Sequence, residues 1–136
     1  MPSAAHWFRQ AADKGNPDAE YMTGKFYYDG LAGNQDSDKA IKWFEKAAAQ
    51  DNPDAQYWLG YCYYTGKGIR QDYVKAASFF HRAAKHEHLE AQYYIGYCYD
   101  KGRGVPHDPE RAKVWYRKAA EQGHHKAKES LLRLEK

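Results

Sequence analysis

DAQYWLGYCYYTG at residues 54–66 and EAQYYIGYCYDKG at residues 90–102 are one pattern written twice, 36 positions apart, and DAEYMTGKFYYDG at residues 18–30 is a third copy. Ala19, Ala55 and Ala91 fall in step, as do Gly24, Gly60 and Gly96. The segments that follow also align: Ala40, Ala76 and Ala112, then Trp43, Phe79 and Trp115, then the pairs Ala47-Ala48, Ala83-Ala84 and Ala119-Ala120. Self-similarity at such a period marks small units stacked in line. Each unit must bury its apolar face against its neighbours, so the chain has no single central core. Stacks of this kind present a surface, and the sequence therefore speaks more clearly about architecture than about the partner bound.

The punctuation of each unit spells two helices. Asn16-Pro17 and Asn52-Pro53 supply an N-cap side chain and a proline at the first helical position, where its missing N–H costs nothing. Asp18 and Asp54 follow, suiting the positive end of the helix dipole. Gly30, Gly66 and Gly102 end the first helix, and Asp36, Asp72 and Asp108 are N-caps for the second. The second helix ends around Gln50, His86 and Gln122, with Gly15 and Gly123 as breakers. Ala55, Leu59 and Tyr63 share one face of the first helix, as do Ala91, Ile95 and Tyr99. In the second helix, Ala76, Phe79, Ala83 and Ala84 are the expected matching stripe, one large residue among small ones. The equivalent Trp115 is then a core residue whose loss costs about 3–5 kcal/mol.

The register also divides the chain. Residues 1–17 match only the second half of a unit through Ala4, Trp7, Phe8, Ala11 and Ala12; whole units span 18–53, 54–89 and 90–125. Residues 126–136 (KAKESLLRLEK) start like another first helix and then lose the glycine and tyrosine, reading as a terminal cap. A chain starting in mid-unit is expected to be a fragment, and its apolar flank at Trp7 and Phe8 predicts a homodimer contact through the open N-terminal end.

A net charge of +3 and a pI near 8.7 are too weakly basic to argue for nucleic acid or a membrane surface. No stretch approaches the ~20 apolar residues of a membrane span, and MPSAAHWFRQ has no apolar run of signal-peptide type. Cys62 and Cys98 occupy equivalent positions in neighbouring units, where helix axes lie roughly 8–10 Å apart. That is too far for a disulfide, so both are expected to be reduced, buried thiols, which favours a reducing compartment such as the cytoplasm.

The pattern Ala-x3-Leu-Gly-x2-Tyr, followed by Gly66-Lys67-Gly68-Ile69 or Gly102-Arg103-Gly104-Val105 and ending Lys118-Ala119-Ala120-Glu121-Gln122-Gly123, resembles the Sel-one-like repeat (SLR) family, a relative of the tetratricopeptide repeats. The unit at 18–53 departs from it, with Thr23 in place of leucine and Ala32 where the second loop glycine is expected. The resemblance implies an all-α fold: a right-handed superhelical solenoid of antiparallel helix pairs whose concave side binds other proteins. It also implies an adaptor or scaffold role, or alternatively that of a bacterial immunity protein neutralising a toxin.

Opposite the buried stripe of the first helix the positions are aromatic where composition alone predicts polar ones. Tyr21, Tyr57 and Tyr93 align across units, then Met22, Trp58 and Tyr94, then Lys25, Tyr61 and Tyr97, then Tyr28, Tyr64 and Asp100. Related helical repeats turn this face inward, which makes these twelve residues the expected lining of a groove for a peptide or protein segment, anchored at Trp58, Tyr61 and Tyr97. Tyrosine combines contact area, a hydrogen-bonding tip and low side-chain entropy. Such a groove is expected to bind nearly independently of salt. For Tyr21, Tyr57 and Tyr93 a structural role, filling the seam between first helices, stands beside the binding one.

A basic column, Lys39, Lys75 and Arg111 with Lys46, Arg82 and Lys118, offers a weaker surface for phosphates or an acidic partner. Glu45, Asp38, Glu110 and Glu121 interrupt it, and a solvated face is the expected role; nucleic acid is not an expected partner. His86, His88, His124 and His125 lack the spacing of a shared metal site, so no metal or cofactor is expected. Some SLR relatives have been described as acting on β-lactams, but Ser3, Ser37, Ser78 and Ser130 lack the lysine three residues on that activates a penicillin-recognising serine. No phosphate loop appears either, and the chain is expected not to be an enzyme.

Overall fold

The computed structural model describes residues 14–29 and 36–135. Among them are seven α-helices and no strand: α1 (Pro17–Asp29), α2 (Ser37–Ala49), α3 (Pro53–Thr65), α4 (Tyr73–Lys85), α5 (Leu89–Lys101), α6 (Pro109–Glu121) and α7 (His125–Glu135). α1, α3 and α5 are the first helices of the three whole units, α2, α4 and α6 the second, and α7 follows the last unit. The half-unit with Trp7 and Phe8, and the loop holding Gly30 and Ala32, lie outside the described residues.

The punctuation works as the residue types dictate. Asp36, Asp72 and Asp108 each accept a hydrogen bond from the backbone N–H three residues on, of Lys39, Lys75 and Arg111, all at 3.1 Å. Gly66 and Gly102 close α3 and α5 in the left-handed region at φ 78° and 67°. The second helices end at Gln50, His86 and Gln122. The next position is left-handed too, and there Asp51 (φ 63°) and Glu87 (φ 67°) occupy the column that Gly15 and Gly123 fill in the outer units.

The core is a row of apolar clusters along the stack. One gathers Ala40, Phe44 and Ala47 of α2 with Ala55, Leu59 and Cys62 of α3; the next gathers Ala76, Phe80 and Ala83 of α4 with Ala91, Ile95 and Cys98 of α5. A third joins Ala112, Tyr116 and Ala119 of α6 to Ala127 of α7. Cys62 and Cys98 are free, and burial pushes both thiols up to about 12, so neither is a thiolate near neutral pH.

The large residue of the second-helix stripe is one position later than expected. Phe44, Phe80 and Tyr116 are completely buried, whereas Trp43, Phe79 and Trp115 are only partly so. Phe80 lies four residues after Ala76 and three before Ala83, on the face that meets the first helix. Phe79 is turned by about 100° to the flank, where its ring stacks on Tyr63 at 5.8 Å. The glycine of each first helix exists for the buried ring: a Cβ on Gly60 would sit 3.0 Å from Phe80 Cδ1 and 3.2 Å from the Ala76 carbonyl oxygen.

Neighbouring units are latched by their N-cap residues. Asn52 caps α3 by accepting from Ala55 N–H (2.9 Å) while its Nδ2 donates to Asp18 of the preceding unit (2.9 Å). His88 does the same with an imidazole: Nδ1 accepts from Ala91 N–H (3.2 Å) and Nε2 meets Asp54 Oδ1 at 3.1 Å. His124 repeats the arrangement with Ala127 N–H at 3.1 Å and Glu90 at 2.9 Å. A cap accepted at Nδ1 requires the neutral ring with its proton on Nε2. Burial lowers the His88 pKa below its ordinary value, and Asp54 only partly opposes this. The folded chain therefore takes up that proton less readily than the unfolded one, so the stability His88 contributes is present above about pH 6.5 and is lost as pH falls from there through the folded-state pKa. His88→Ala should cost about 1 kcal/mol at neutral pH. His88→Asn, copying Asn52, should retain most of that and flatten the loss between neutral and mildly acidic pH, as urea unfolding midpoints across the range would register.

Candidate functional site

The expected groove residues sit on α1, α3 and α5, and the structure sorts them into three groups. The first is a continuous aromatic surface crossing all three helices. Tyr28 meets Trp58 at 5.1 Å between ring centres, Trp58 meets Tyr61 at 5.6 Å, and Tyr61 meets Tyr94 of the next unit at 6.0 Å. Tyr64 lies 6.3 Å from Tyr94 and 6.5 Å from Tyr97. Every one of these rings is partly accessible, and Met22 at the end of the row is 40% exposed. Burial pushes the Tyr28 and Tyr94 phenols up to about 12.

The second group is the seam. Tyr57 is only 7% exposed, a correction to its placement as groove lining. Its ring stacks on His88, the N-cap of α5, at 4.7 Å and lies 5.8 Å from Phe80. Tyr93 is held in the same way between His124 (4.8 Å) and Tyr116 (5.8 Å), and Tyr21 lies 6.2 Å from Phe44. This row is wedged between the buried ring of its own unit and, in Tyr57 and Tyr93, the N-cap imidazoles of α5 and α7.

Asp100 is the third case and a second correction. It occupies the Tyr28 and Tyr64 column but is 7% exposed, because its short side chain turns inward to accept from the Tyr116 hydroxyl at 3.0 Å and from Arg133 of α7. Tyr116 stands where the other units have phenylalanine, and its extra hydroxyl supplies the partner.

Cations outside the twelve expected residues reach over this ring surface. The Lys67 ammonium lies 3.9 Å from the Tyr28 ring centre, and Arg103, at the same position one unit on, covers Tyr64 at 5.8 Å and Tyr97 at 5.7 Å. Arg103 also donates to the Tyr64 hydroxyl. Lys101 adds a charge 5.9 Å from Tyr97. Lys25, one of the twelve expected lining residues, is bridged to Asp29 at 3.1 Å and lies 3.8 Å over Trp58. Lys67 and Arg103 were legible only as parts of a helix-ending loop; their 36-residue register was the signal that aligned them.

The basic column lies on the other flank. Lys39, Lys75 and Arg111 rest over Tyr27, Tyr63 and Tyr99 at 5.4, 5.4 and 5.7 Å, and Lys46, Arg82 and Lys118 over Trp43, Phe79 and Trp115 at 4.6, 5.5 and 5.0 Å. Each cation is packed on a ring of its own unit. A shallow cleft on this flank is lined by Glu45, Leu59, Tyr63, Phe79 and Arg82. Among the described residues no three His, Cys, Asp or Glu side chains are grouped to hold a metal ion, and no helix is long and apolar enough to cross a membrane.

Helix pairs repeated in register, latched end to end and carrying a shared surface on their first helices define a helical-repeat solenoid of the scaffold class. The Sel1 repeat matches residues 2–16, 17–52, 53–88 and 89–124, and the chain belongs to the Sel1 repeat family. A Sel1 repeat protein from Oxalobacter formigenes is 39% identical, with a TM-score of 0.84 over 92% of this chain and 94% of that one. The protein c5321, a protective antigen present in uropathogenic Escherichia coli strains displaying an SLR fold, is also 39% identical, with a TM-score of 0.87 over 89% of this chain; the match spans 26% of that longer chain. Cysteine rich protein B of Helicobacter pylori, at 21% identity, has a TM-score of 0.71 and shares the fold. No curated protein matches the chain. Sel1 repeats are generally scaffolds for protein–protein binding.

Proposed function

We propose that this chain is an adaptor that holds a peptide or protein segment against the first-helix face, with Trp58, Tyr61, Tyr94 and Tyr97 as the contact surface. The observation that carries this reading is the unbroken row of partly accessible rings from Tyr28 through Trp58, Tyr61 and Tyr94 to Tyr64 and Tyr97, which crosses two unit boundaries. Rings already fixed by their neighbours lose little freedom on binding, and partly desolvated aromatic clusters are where binding energy concentrates. Tyr57 and the inward-turned Asp100 are positioning residues in this reading: one fixes the spacing of α3 and α5, the other ties α7 to α5.

Tyr61→Ala should weaken binding of a peptide selected on the wild-type chain by tenfold or more, about 1.4 kcal/mol or above, while moving the Tm little. The test is titration calorimetry beside a thermal melt. A large fall in Tm with unchanged affinity would assign Tyr61 to the fold and remove it from the contact surface.

A further inference from the structure

We infer that the segment held in this groove is acidic and lies along the loop-side edge of the first helices, with carboxylates at Lys67 and Arg103 and apolar side chains among Tyr61 and Tyr94. This rests on the groove reading above and adds the chemistry of the partner to it. Lys67 and Arg103 are equivalent residues of consecutive units, and each reaches back over the tyrosine of the unit before it, Tyr28 and Tyr64. Among the described residues no carboxylate lies within the 4.0 Å ion-pair distance of Lys67, Lys101 or Arg103; Lys39, Lys46, Lys75 and Lys118 of the other flank also lack one, but only the first three stand beside the accessible ring row of the first helices. The carboxylate nearest in the register, Asp100, is turned away and taken up by Tyr116 and Arg133. The groove's loop edge thus carries unpaired positive charge at one-unit spacing beside phenol donors.

The opposite edge, at the N-termini of α3 and α5, carries Asp54 and Glu90, which are engaged with His88 and His124. The side-chain charges at the two edges differ in sign, which favours a bound segment with its anionic side chains towards Lys67 and Arg103. A single nucleic-acid strand also brings negative charge, but it needs open ring faces for its bases. Here the rings meet one another tilted or edge-on, and ammonium groups cover faces of Tyr28 and Trp58. Hydroxyl tips and cations suit carboxylates on a peptide. Binding is therefore salt-dependent, against the expectation drawn from the tyrosine columns alone.

The test is selection of displayed random dodecapeptides on the full chain at low salt. The best synthetic peptide is then titrated against wild type, a Lys67→Glu/Arg103→Glu double variant and Tyr61→Ala, with circular dichroism checking that each variant is folded and oligothymidine titrated in parallel. The inference predicts Asp- and Glu-rich peptides that the double charge reversal weakens by about tenfold or more and that weaken as salt rises. Neutral or basic peptides that need Tyr61 but ignore the charge reversal would overturn the acidic partner and leave the groove standing. Peptides indifferent to both variants, or no enrichment over the unselected library, would remove both. Oligothymidine binding more tightly than the selected peptide, and lost in the double variant, would overturn the inference in favour of nucleic acid.

Discussion

Phe80→Ala should lower the free energy of unfolding by about 3–5 kcal/mol, because a completely buried ring is removed from between α3 and α4 and the site cannot collapse around the space it leaves. Gly60 faces that ring, and Tyr57, Tyr64 and Tyr94 lie against it at 5.8, 6.1 and 5.2 Å, so the gap opens beneath the seam and the groove alike. The same change at its neighbour, Phe79→Ala, should cost much less, since that ring lies on the flank, partly in water, against Tyr63. Trp115→Ala should likewise cost well under the amount its size suggests, while Tyr116→Ala should match Phe80→Ala and in addition leave buried Asp100 without the Tyr116 hydroxyl. Urea unfolding of the two adjacent pairs compares positions one residue apart. Equal losses within either pair would show that the stripe is wrongly placed.

Gly104→Ala should be of comparable severity. The residue is left-handed at φ 76°, and a Cβ there would fall 2.0 Å from the Tyr73 carbonyl oxygen, inside the backbone that opens α4 of the preceding unit. A left-handed non-glycine residue costs roughly 1–2 kcal/mol, and displacement of a packed backbone adds about 1–3 kcal/mol. Gly123→Ala separates the two contributions: it is left-handed at φ 91° but has nothing within 4 Å of the added carbon, so only the first should appear. A thermal melt in which both variants lose the same amount would mean that the loop does not nest on its neighbour.

Columns of residues carried most of the architecture before any coordinate was known. Proline, asparagine, aspartate and glycine at fixed offsets act through local backbone geometry, so the starts and ends of the helices could be read residue by residue. What the columns could not decide was rotation. Each second helix has adjacent aromatic residues, and in α4 Phe79 and Phe80 are flanked by alanine pairs 76-77 and 83-84, which gives two stripes about 100° apart with equally good composition. Only packing against the first helix chooses between them. His88 and His124 were legible in principle, since they continue the Asn16 and Asn52 column, but an imidazole serving as an N-cap is recognised by its partners, here Ala91 N–H and Asp54, more than by its type.

The aromatic row of the first helices shows the same limit. Trp58 with Tyr61, and Tyr94 with Tyr97, share a face because each pair is three residues apart on its own helix, and the stacking of equivalent units then brings Tyr61 to Tyr94. Asp100 follows the register yet leaves the surface, because a carboxylate responds to a hydroxyl and a guanidinium brought from α6 and α7. Lys67 and Arg103 reach the rings of Tyr28 and Tyr64 only because the chain folds back over the preceding unit, a contact made between residues 39 positions apart.

The claim that binding takes place on the first-helix face has its most direct test in the indole N–H signals of the tryptophans, followed by NMR as a selected peptide is titrated into labelled protein. Trp58 sits among the groove rings, whereas Trp43 and Trp115 lie on the other flank under Lys46 and Lys118. The account predicts that the Trp58 signal shifts with the peptide's own saturation curve while those of Trp43 and Trp115 stay in place. Movement of Trp43 and Trp115 with Trp58 unchanged would put the binding surface on the opposite side of the solenoid.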